Sequence, residues 1–417
     1  MVSPFDRWNI KSSRGQDTVL KGIIRGVKEL IQPDELRNRL EWSVANNKPL
    51  VVKEGFDPTA PDIHIGNMVS IRKLRTFQEL GHRVVFLIGD YTGLVGDPSG
   101  QDRARKQMTK EEVLANAETY KQQIFKVLDP EKTEIRFNSE WFEGMSFSQV
   151  LELTSRYTVA RILERDDFEK RYKAGNPISV MEFLYPLMQG YDSVALQSDI
   201  EIGGTDQKFN LLVGRALQER YGQKPQVVMT LPLLVGTDGV EKMSKSLGNY
   251  IGINESPQEI YGKTMSIPDN LIYDYFVLTT EVSDKKLKEV KAQLDSGSVN
   301  PMELKKQLAF ELVAIYHNKS EAEKAQEDFR LKFSKKEIPE DIPELLISSD
   351  EPLIWIVKVI VASNVVSSNS AAMRLIKGGG VQLNGVRIID KDYKVNLAQD
   401  NVIKIGKKNF LKIKWNK

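Results

Sequence analysis

Two short segments of the chain combine residue types that suit phosphate chemistry. The first, PTAPDIHIGN, joins an apolar run to a helical pattern and contains Thr59, His64, Gly66 and Asn67. Unpaired backbone N–H groups at the start of a helix favour an anion, and the hydroxyl and imidazole donors lie beside that start. A lone histidine in a turn is more often structural than functional, so this segment alone does not establish a site.

The second segment, EKMSKSLGN, contains Lys242 and Lys245 with hydroxyl-bearing serines between and after them. Two mobile ammonium groups suit a departing polyphosphate, because negative charge moves onto that group during the reaction. Glycines at 236, 239 and 248 would permit the loop to move. The alternative is a solvated lysine-rich loop, which is the commonest fate of such a pentapeptide. The presence of both segments favours the phosphate interpretation.

A third group of polar residues lies in the helical stretch MEFLYPLMQGYDS. Tyr185, Gln189 and Asp192 are spaced i, i+4 and i+7, which places them on one helix face. A phenol, an amide and a carboxylate on one face form a plausible surface for a polar ligand. An exposed polar stripe is the alternative, but the neighbouring leucines and methionines predict a mostly buried helix.

The elements that must position these residues alternate between strands and helices over the first 255 residues. Such alternation predicts an α/β fold with a doubly wound parallel sheet, which binds ligands at the carboxyl ends of its strands. Thr109 and Glu112 form a capping box before one of the helices. The candidate strands are KPLVVKEGF, RVVFLIGD, TEIRF, DIEIGG and QVVMTLPLLV. Both chemical segments follow strands of this set.

The remainder of the chain changes character twice. From about residue 256 to 346 the pattern is helical and highly charged, and a proline-rich acidic linker, KEIPEDIPELLISSDEP, follows it. The tail predicts a short helix, a glycine stop and a hairpin turning at Asn384-Gly385. Residues 351–417 contain 12 Lys and Arg against 4 Asp and Glu, a net charge of +8 within a chain of net charge +2. This excess suggests a polyanionic partner, although a solvated lysine-rich end is an equal alternative on charge alone.

Composition excludes several classes of site and of protein. The 417 residues are 41% hydrophobic and 28% charged, as in ordinary globular proteins, and are enough for two or three domains. There is no cysteine, which excludes disulfides, thiolate metal sites and cysteine nucleophiles, and three scattered histidines make a histidine-rich metal site unexpected. Neither a secretory signal nor an apolar run long enough for a membrane span is present, so we expect a cytoplasmic protein.

Five motifs in order carry a resemblance to a known family. HIGN and KMSKS resemble the signatures of class I aminoacyl-tRNA synthetases, and GFDPTAPDIHIGN, LIGDYTGLVGDPSG, MEFLYPLMQGYDS, IGGTDQKFN and EKMSKS together resemble bacterial tyrosyl-tRNA synthetases. The resemblance covers residue 30 to the end. It implies a Rossmann-like catalytic domain at 32–255, a helical anticodon-side domain at 256–346 and a small S4-like α+β RNA-binding domain at 352–417. Residues 1–31 would be an N-terminal extension.

The resemblance also implies a role for each motif residue. Thr59 and His64 would bind the ATP phosphates and stabilise the pentacovalent α-phosphate, without a protein nucleophile. The catalytic candidates are Thr59, His64, Asn67, Lys242 and Lys245. The ATP-binding candidates are Asp57, Gly66, Gly203, Asp206 and Lys245. The tyrosine-binding candidates are Asp97, Tyr185, Gln189, Asp192 and Gln207, with Asp192 taking the phenol hydroxyl. The RNA-binding candidates are Arg374, Lys377 and Lys391.

Two positions depart from the family pattern. Asn67 replaces the second histidine of HIGH, and an amide can donate a hydrogen bond but cannot become a cation. Lys53 stands where many members have a tyrosine that also touches the substrate's hydroxyl. Because one expected contact to the substrate's hydroxyl is missing, Lys53 weakens the assignment of the tyrosine site more than it weakens the assignment of the function.

The implied activity is tyrosine–tRNA ligation. ATP would be a substrate accompanied by Mg²⁺, with no protein-bound metal, and the partners would be tyrosine, tRNA(Tyr) and a second copy of the chain in a homodimer. A tryptophan-specific relative is the nearest enzymatic alternative, disfavoured by Asp192 and by the S4-like tail. A paralogue that only binds structured RNA is the other alternative, and Asn67 is the one feature in its favour.

Overall fold

The computed structural model describes residues 13–58, 61–97, 109–335, 342–384, 386–406 and 409–416. Thr59 and Gly385, which the sequence analysis singled out, lie outside these residues. The chain divides into two compact units, residues 1–326 and 327–417. Within the described ranges, no helix is both long and apolar enough to cross a bilayer.

The first unit is built on a six-stranded sheet. Its strands are β1 (Glu29–Ile31), β2 (Val51–Phe56), β3 (Arg83–Ile88), β4 (Thr133–Phe137), β5 (Ile200–Gly204) and β6 (Val227–Leu231). The order across the sheet is β1-β6-β5-β2-β3-β4, and all neighbours are parallel except β1 and β6. Every residue of β6 is buried, as expected for a strand covered on both faces. The predicted doubly wound α/β fold is confirmed.

The direction in which successive strands are added to the sheet reverses between the parallel neighbours β2 and β5, which creates the switch point of the sheet. From β2 the order runs through β3 to β4 on one side, and from β5 it runs through β6 on the other. A doubly wound sheet opens a crevice outside the carboxyl ends of the strands at such a point. The residues that follow β2 and β5 therefore lie at the mouth of that crevice.

Helices connect these strands and continue beyond them. The first unit's helices up to β6 are α1 (Ser13–Ile24), α2 (Pro33–Asn46), α3 (Ile65–Glu79), α4 (Thr92–Val95), α5 (Lys110–Ile124), α6 (Ser139–Phe142), α7 (Phe147–Ser155), α8 (Val159–Ile162), α9 (Asp166–Lys173), α10 (Val180–Leu196) and α11 (Lys208–Arg220). After β6 come α12 (Pro257–Ser266), α13 (Ile272–Thr279), α14 (Asp284–Ser296), α15 (Pro301–Tyr316) and α16 (Lys319–Lys335). The predicted capping box at Thr109 begins α5.

The segment predicted as an N-terminal extension contributes an edge strand to this sheet. β1 pairs antiparallel with β6, and the Lys28 N–H donates to the Thr230 carbonyl at 2.8 Å. Lys73 on α3 donates to the carbonyls of Gly22 and Arg25, at the end of α1. The three-residue stretch ELI has no periodic pattern that would predict a strand, so its place comes from the partner strand. The predicted border at residue 31 falls at the end of β1.

The second unit is a small α+β fold. Its strands are β7 (Glu344–Ser348), β8 (Leu353–Trp355), β9 (Val381–Leu383), β10 (Val386–Arg387), β11 (Lys394–Asn396), β12 (Asn401–Ile405) and β13 (Asn409–Asn416), and its helices after α16 are α17 (Ile356–Ala362) and α18 (Asn369–Lys377). Five strands form a sheet in the order β10-β9-β12-β13-β7, and β8 pairs with β11. The core between them contains Ile356, Ile376 and Ile403, all fully buried. The predicted hairpin is present, with Asn384 at a φ of 52°.

The region predicted as helical up to residue 346 contains a strand at its end. β7 runs parallel to β13, and its Ile347 is buried in the second unit's core. The apolar residues of ELLIS lie among prolines and acidic residues, and this composition is typical of a linker. Each residue of β7 pairs with a residue of β13 that lies 68 positions further along the chain, which local patterns do not reveal.

Candidate active site

One cavity of about 660 Å³ opens at the switch point of the sheet. Its size suits a small-molecule ligand. Every described residue that the sequence analysis assigned to catalysis, ATP or tyrosine lines it. These residues are Asp57, His64, Gly66, Asn67, Asp97, Tyr185, Gln189, Asp192, Gly203, Asp206, Gln207, Lys242 and Lys245. Thr59 is the one candidate of that set outside the described residues.

His64 and Asn67 close the start of α3 by a reciprocal capping box. The Asn67 N–H donates to His64 Nδ1 at 3.3 Å, and the His64 N–H donates to Asn67 Oδ1 at 3.2 Å. Because Nδ1 accepts, the proton of a neutral ring lies on Nε2, which remains a donor. A Cβ on residue 66 would meet the ring at 3.0 Å, so Gly66 leaves room for it.

The imidazole of His64 is uncharged at neutral pH. Burial lowers the pKa of His64 to about 4, and the nearby ammonium of Lys245 lowers it further. His64 is thus a neutral hydrogen-bond donor at the N-terminus of α3, where the helix dipole already favours negative charge. Asn67 has a structural task that the sequence analysis did not foresee, because it holds both the histidine ring and the histidine backbone.

The loop that carries Lys242 and Lys245 is folded around one buried asparagine. Asn249 accepts from the Ser244 N–H at 2.8 Å, and its amide donates to Asp238 at 2.7 Å. A Cβ at residue 236 would meet that asparagine at 2.3 Å, which requires Gly236. Gly239 and Gly248 have φ values of 77° and 67°. The three glycines predicted to permit movement therefore serve turns and close packing in this conformation.

The two lysines of this loop differ in their surroundings. Lys242 is half exposed and its ammonium lies 3.3 Å from Asp206 Oδ2. Lys245 is partly buried, and this burial lowers the pKa of its ammonium while Asp62 opposes the shift. Both are near the neutral His64 and Gly66, so the lining here combines two cations with a neutral donor. We call His64, Lys242 and Lys245 the basic region of the cavity.

A hydrogen-bonded chain connects Tyr185 to the strand ends. The Tyr185 hydroxyl donates to Asp57 Oδ2 at 2.8 Å, and the Thr92 hydroxyl donates to Asp57 Oδ1 at 2.7 Å. A Cβ on Gly89 would lie 2.1 Å from the same carboxylate, so only glycine fits there. Burial among Asp57, Asp97 and other carboxyl groups raises the pKa of Tyr185 well above its usual range. The phenol is therefore a donor at all physiological pH values.

A second set of hydrogen bonds connects the side-chain amides of Gln189, Gln207 and Asn210. Gln207 donates to Asp97 Oδ2 at 2.7 Å, and the Asn210 amide donates to Gln189 at 2.9 Å and to Gln207 at 3.2 Å. Gln207 follows β5 in a short 3-10 turn and Asn210 begins α11, which explains how three separate elements meet. We call Asp57, Asp97, Tyr185, Gln189, Asp192 and Gln207 the acidic region of the cavity.

Asp192 is the most deeply placed carboxylate of the acidic region. It accepts from Trp141 Nε1 at 2.9 Å and, more weakly, from the Asn138 amide at 3.5 Å. Burial raises the pKa of Asp192 to about 8, against the opposing effect of the Lys53 ammonium. A carboxyl group poised near neutrality can accept from a ligand hydroxyl or donate to it.

The departure at Lys53 is explained by a buried ion pair. Lys53 Nζ lies 2.7 Å from Glu201 Oε1, with both side chains almost fully buried, and the two residues are directly paired between β2 and β5. Ser193, the neighbour of Asp192, donates to the other oxygen of Glu201 at 3.0 Å. The pair thus supports the helix that presents Asp192.

The three RNA-binding candidates lie on the second unit. Arg374 and Lys377 are exposed in the last turn of α18, whereas the ammonium of Lys391 is 2.7 Å from Asp392. Arg387, which the sequence analysis did not select, donates to the Gly379 carbonyl just beyond α18. Among the described residues, Arg374, Lys377 and Arg387 near the end of that helix form no ion pair with an acidic side chain, whereas the charge of Lys391 is partly neutralised.

Several residues that hold the side chains or backbone of the cavity lining in place were not identified from the sequence. Asn138 follows β4 at the edge where ligands bind, so its position in a βαβ pattern could have indicated it. Trp141, Asn210 and Asn249 act through contacts between distant elements, for which the sequence has no local signal. Among the described residues, no three acidic or histidine side chains form a metal-binding group.

Comparison with known proteins assigns both parts of the chain. Residues 45–334 match the family described as tRNA synthetases class I (W and Y), and residues 335–413 match the tyrosine–tRNA ligase SYY-like C-terminal domain. A tyrosine–tRNA ligase of Moorella thermoacetica is 52% identical and covers 94% of this chain and 95% of its own. A tyrosine–tRNA ligase of Syntrophotalea carbinolica is also 52% identical, and the match covers 97% of this chain and 99% of its own.

A solved structure agrees in fold. The tyrosyl-tRNA synthetase from Archaeoglobus fulgidus, crystallised in complex with L-tyrosine, superposes with a TM-score of 0.60 at 24% identity, covering 74% of this chain and 99% of its own. At this identity the comparison supports the Rossmann-like fold.

Proposed function

The chain belongs to the tyrosine–tRNA ligases, which are class I tRNA synthetases, and from that premise we propose which of its residues perform each part of the reaction. The activity joins L-tyrosine to tRNA at the expense of ATP. Tyrosine is first activated to tyrosyl-adenylate and then transferred to the 3′ end of tRNA(Tyr). The observation that carries the residue assignment is that all thirteen described candidates line one cavity.

The acidic region binds tyrosine in this proposal. Its carboxylates Asp57 and Asp97 attract the α-ammonium group, which Tyr185 and Gln189 then help to orient. Asp192 takes the phenol hydroxyl, and Trp141 keeps its carboxylate in place. Rejection of phenylalanine follows, because an amino acid without the hydroxyl leaves a buried polar group unpaired.

The basic region acts on the phosphates. The tyrosine carboxylate attacks the α-phosphorus and displaces pyrophosphate, so negative charge grows on the leaving group and on the oxygens of the pentacovalent α-phosphate. The neutral Nε2–H of His64 donates to this charge, Lys242 and Lys245 neutralise the pyrophosphate, and Thr59 contributes a hydroxyl donor. Gly203 and Asp206 bind the nucleotide beside them. Mg²⁺ accompanies ATP as part of the substrate.

The second unit binds tRNA through phosphate contacts. Arg374 and Lys377 are exposed side by side on α18, and Lys391 is assigned a weaker contact because Asp392 neutralises it. Such contacts position the nucleic acid without reading its sequence. We place the reaction in the cytoplasm, where translation consumes charged tRNA.

The active form in this proposal is a homodimer. Phe147, Leu151, Val159 and Val180 expose between 54% and 77% of their surface, on α7, α8 and the start of α10. α10 packs against both α7 and α8, so the four exposed apolar side chains lie on neighbouring helices. Exposed apolar side chains on neighbouring helices suit burial in a twofold dimer interface. Sedimentation equilibrium of wild type and of Phe147→Asp tests it, with a monomeric wild type as the contradicting result.

Exchange of pyrophosphate into ATP tests the residue assignment and the amino-acid specificity together. Tyrosine should support exchange and tryptophan should not. Exchange with tryptophan alone would favour the tryptophan-specific alternative, and tRNA binding without any exchange would favour the RNA-binding paralogue. Loss of exchange in Asp192→Ala and His64→Ala, with retained folding by circular dichroism, supports the two regions as assigned.

A further inference from the structure

One buried arginine next to the acidic region has no task in the proposed reaction. Arg165 immediately precedes α9 and is only 5% exposed. Its Nε and Nη2 donate to the two carboxylate oxygens of Asp167 at 2.7 and 2.8 Å, and its guanidinium carbon lies 3.8 Å from the centre of the Phe168 ring. A buried charge is costly unless it is paired, and these contacts pair it. The remaining nitrogen, Nη1, donates to Asn210 Oδ1 at 3.4 Å.

Asn210 transmits this contact to two residues of the acidic region. A guanidinium has N–H donors and no acceptor, so the Asn210 atom that faces it is the amide oxygen. The amide nitrogen of Asn210 then lies on the other side, where it donates to Gln189 Oε1 at 2.9 Å and to Gln207 Oε1 at 3.2 Å. Gln207 in turn uses its own amide nitrogen to donate to Asp97 at 2.7 Å. Each bond of this series therefore determines the direction of the next.

The two ends of the series favour the same orientation of the amides. The guanidinium of Arg165 can only donate, and the carboxylate of Asp97 accepts. If the amide of Asn210 were turned over, its nitrogen would face the guanidinium and its oxygen would face the two glutamine oxygens. Both contacts would be repulsive, because they place donor against donor and acceptor against acceptor. Loss of the guanidinium would leave Asn210 oriented from one side alone.

The orientation of these amides matters for one group of the ligand. Among the described residues, the cavity lining includes Gln189, Gln207 and Asp97 but neither Arg165 nor Asn210. A glutamine oxygen has a second lone pair, so Gln189 Oε1 can accept from an ammonium group while Asn210 holds it. The Asp97 carboxylate, held by Gln207, is a second acceptor for the same ammonium. The phenol and the phosphates have other partners in the cavity.

We propose that Arg165 is a positioning residue of the tyrosine site, which acts through Asn210 to hold the amides of Gln189 and Gln207 in the orientation that binds the α-ammonium group of tyrosine. This inference rests on the proposed assignment of the acidic region to tyrosine. It makes the affinity for the ammonium group depend on a residue that does not touch the ligand.

The variants separate this role from general support of the fold. Arg165→Met removes the guanidinium and keeps a long side chain, and Arg165→Lys keeps the charge but cannot bind Asp167 by a fork and also reach Asn210. Arg171→Met is the matched control. Arg171 lies on α9, is also 5% exposed, and forms a buried ion pair at 2.5 Å with Glu182 of α10, not with an amide of the acidic region.

The measurement is calorimetric binding of three ligands that share the phenol. L-tyrosine has the ammonium and the carboxylate, tyramine keeps only the ammonium, and 3-(4-hydroxyphenyl)propionate keeps only the carboxylate. For Arg165→Met the Kd of tyrosine and of tyramine should rise about three- to tenfold, the value of one hydrogen bond, while that of the propionate stays within about twofold. Arg165→Lys should fall between wild type and Arg165→Met. Arg171→Met should lower the unfolding temperature and leave all three Kd values within about twofold.

A double variant tests whether the arginine acts through the asparagine. Asn210→Leu keeps the volume and removes both amide contacts, so it should weaken tyrosine and tyramine at least as much as Arg165→Met does. Arg165→Met combined with Asn210→Leu should bind tyrosine no more weakly than Asn210→Leu alone. Additive losses would overturn the proposal, as would an equal loss for all three ligands in Arg165→Met, which would mean general support of the site.

The wild-type protein distinguishes failure of this proposal from failure of its premise. A wild type that binds tyrosine and the propionate equally well would remove the assignment of the acidic region to the ammonium, and the proposal with it. A wild type that prefers tyrosine, with the same preference in Arg165→Met, would overturn the proposal alone. Absence of pyrophosphate exchange in wild type would count against the assigned activity, while the binding comparison still decides the role of Arg165. If Arg165→Met does not fold, an unchanged preference in both Arg165→Lys and Asn210→Leu overturns the proposal.

Discussion

The acidic and basic regions of the cavity are built in opposite ways. In the acidic region Asp97, Tyr185 and Asp192 are buried, and each has a hydrogen-bond partner from another element. In the basic region Lys242 is half exposed and its position depends on a loop folded around Asn249. A buried polar network fixes geometry and selects a ligand, whereas exposed cations can follow charge as it moves during a reaction.

The largest expected effect comes from removing the buried carboxylate at the end of the acidic region. Asp192→Ala should lower kcat/KM for tyrosine by roughly 1,000-fold, about 4 kcal/mol, because it loses the bond to the substrate hydroxyl and leaves the Trp141 N–H unpaired. Phenylalanine activation should stay similar or improve. The measurement is kcat/KM for both amino acids in pyrophosphate exchange.

Asp192→Asn is the matched control for this substitution. An amide can still accept from Trp141 and exchange one bond with the hydroxyl, so the loss should be smaller than with alanine. If the preference for tyrosine over phenylalanine survives Asp192→Ala, the hydroxyl is read by another group, and Lys53 is the next candidate.

The next largest effect concerns the start of α3. His64→Ala should slow tyrosyl-adenylate formation by roughly 100-fold, as expected when one donor to developing charge is lost. Asn67→His should slow tyrosyl-adenylate formation less than His64→Ala does, because a histidine at position 67 can still accept from the residue 64 N–H and keep the helix cap. Single-turnover activation at saturating tyrosine and ATP compares them. Greater damage from Asn67→His than from His64→Ala would reverse the roles assigned to the two residues.

The sequence was sufficient for the parts of the molecule that local rules determine. The parallel strands at whose carboxyl ends Asp57 and Gly203 lie, the helix face of Tyr185, Gln189 and Asp192, and the start of α3 all follow from periodicity and capping. The family resemblance supplied the roles, and the family membership and the fold are confirmed. The roles of the individual residues stay predictions.

The remainder depends on contacts between distant parts of the chain. Trp141 and Asn138 reach Asp192 from about 50 residues away, and Asn210 joins Gln189 to Gln207 from a third element. The sequence marks Lys53 only as a departure from the family pattern, and it does not predict that this lysine is buried against Glu201. These pairings are set by strand order and helix packing, which no local pattern encodes.

Smaller effects are expected from the two lysines of the basic region. Lys242→Ala and Lys245→Ala should each lower the activation rate by about 10- to 30-fold while leaving tyrosine binding within about twofold, since their charges act when pyrophosphate departs. Rapid-mixing measurement of adenylate formation separates rate from binding. Unchanged rates in both variants would show that the loop does not take part in activation. An equal loss of tyrosine affinity would show that the lysines also bind tyrosine, as the acidic region does.

The activation of tyrosine should depend on pH through the acidic region and not through His64. Burial raises the pKa of Asp192 to about 8, and His64 with a pKa of about 4 does not titrate near neutrality. If ionised Asp192 accepts from the tyrosine hydroxyl, kcat/KM for tyrosine should rise with pH and level off above about 8. Replacement of the neighbouring pair by Lys53→Met with Glu201→Gln removes the Lys53 ammonium, which lowers this pKa, together with the smaller opposing effect of the Glu201 carboxylate, so the pKa of Asp192 should rise. The rise should then move to higher pH.

The control for this experiment is the same pH series in Lys242→Ala. That variant leaves the surroundings of Asp192 intact, so its profile should keep the wild-type midpoint at a lower rate. A midpoint that moves equally in both variants would assign the pH dependence to the phosphate step rather than to Asp192.

The smallest effect on activation is expected from the second unit, whose charge concerns tRNA alone. Arg374→Ala with Lys377→Ala removes two exposed cations of α18, whereas Lys391→Ala removes one that is already paired with Asp392. The double variant should raise the KM for tRNA about three- to tenfold and flatten its dependence on salt, because each lost phosphate contact releases about one counterion fewer. Lys391→Ala should change both quantities less.

Pyrophosphate exchange should be unchanged in all three variants, since every cavity residue precedes residue 247. A loss of exchange that matches the loss of tRNA charging would show that the α18 residues act on the cavity itself, and a larger effect of Lys391→Ala than of the double variant would move the tRNA contact away from α18.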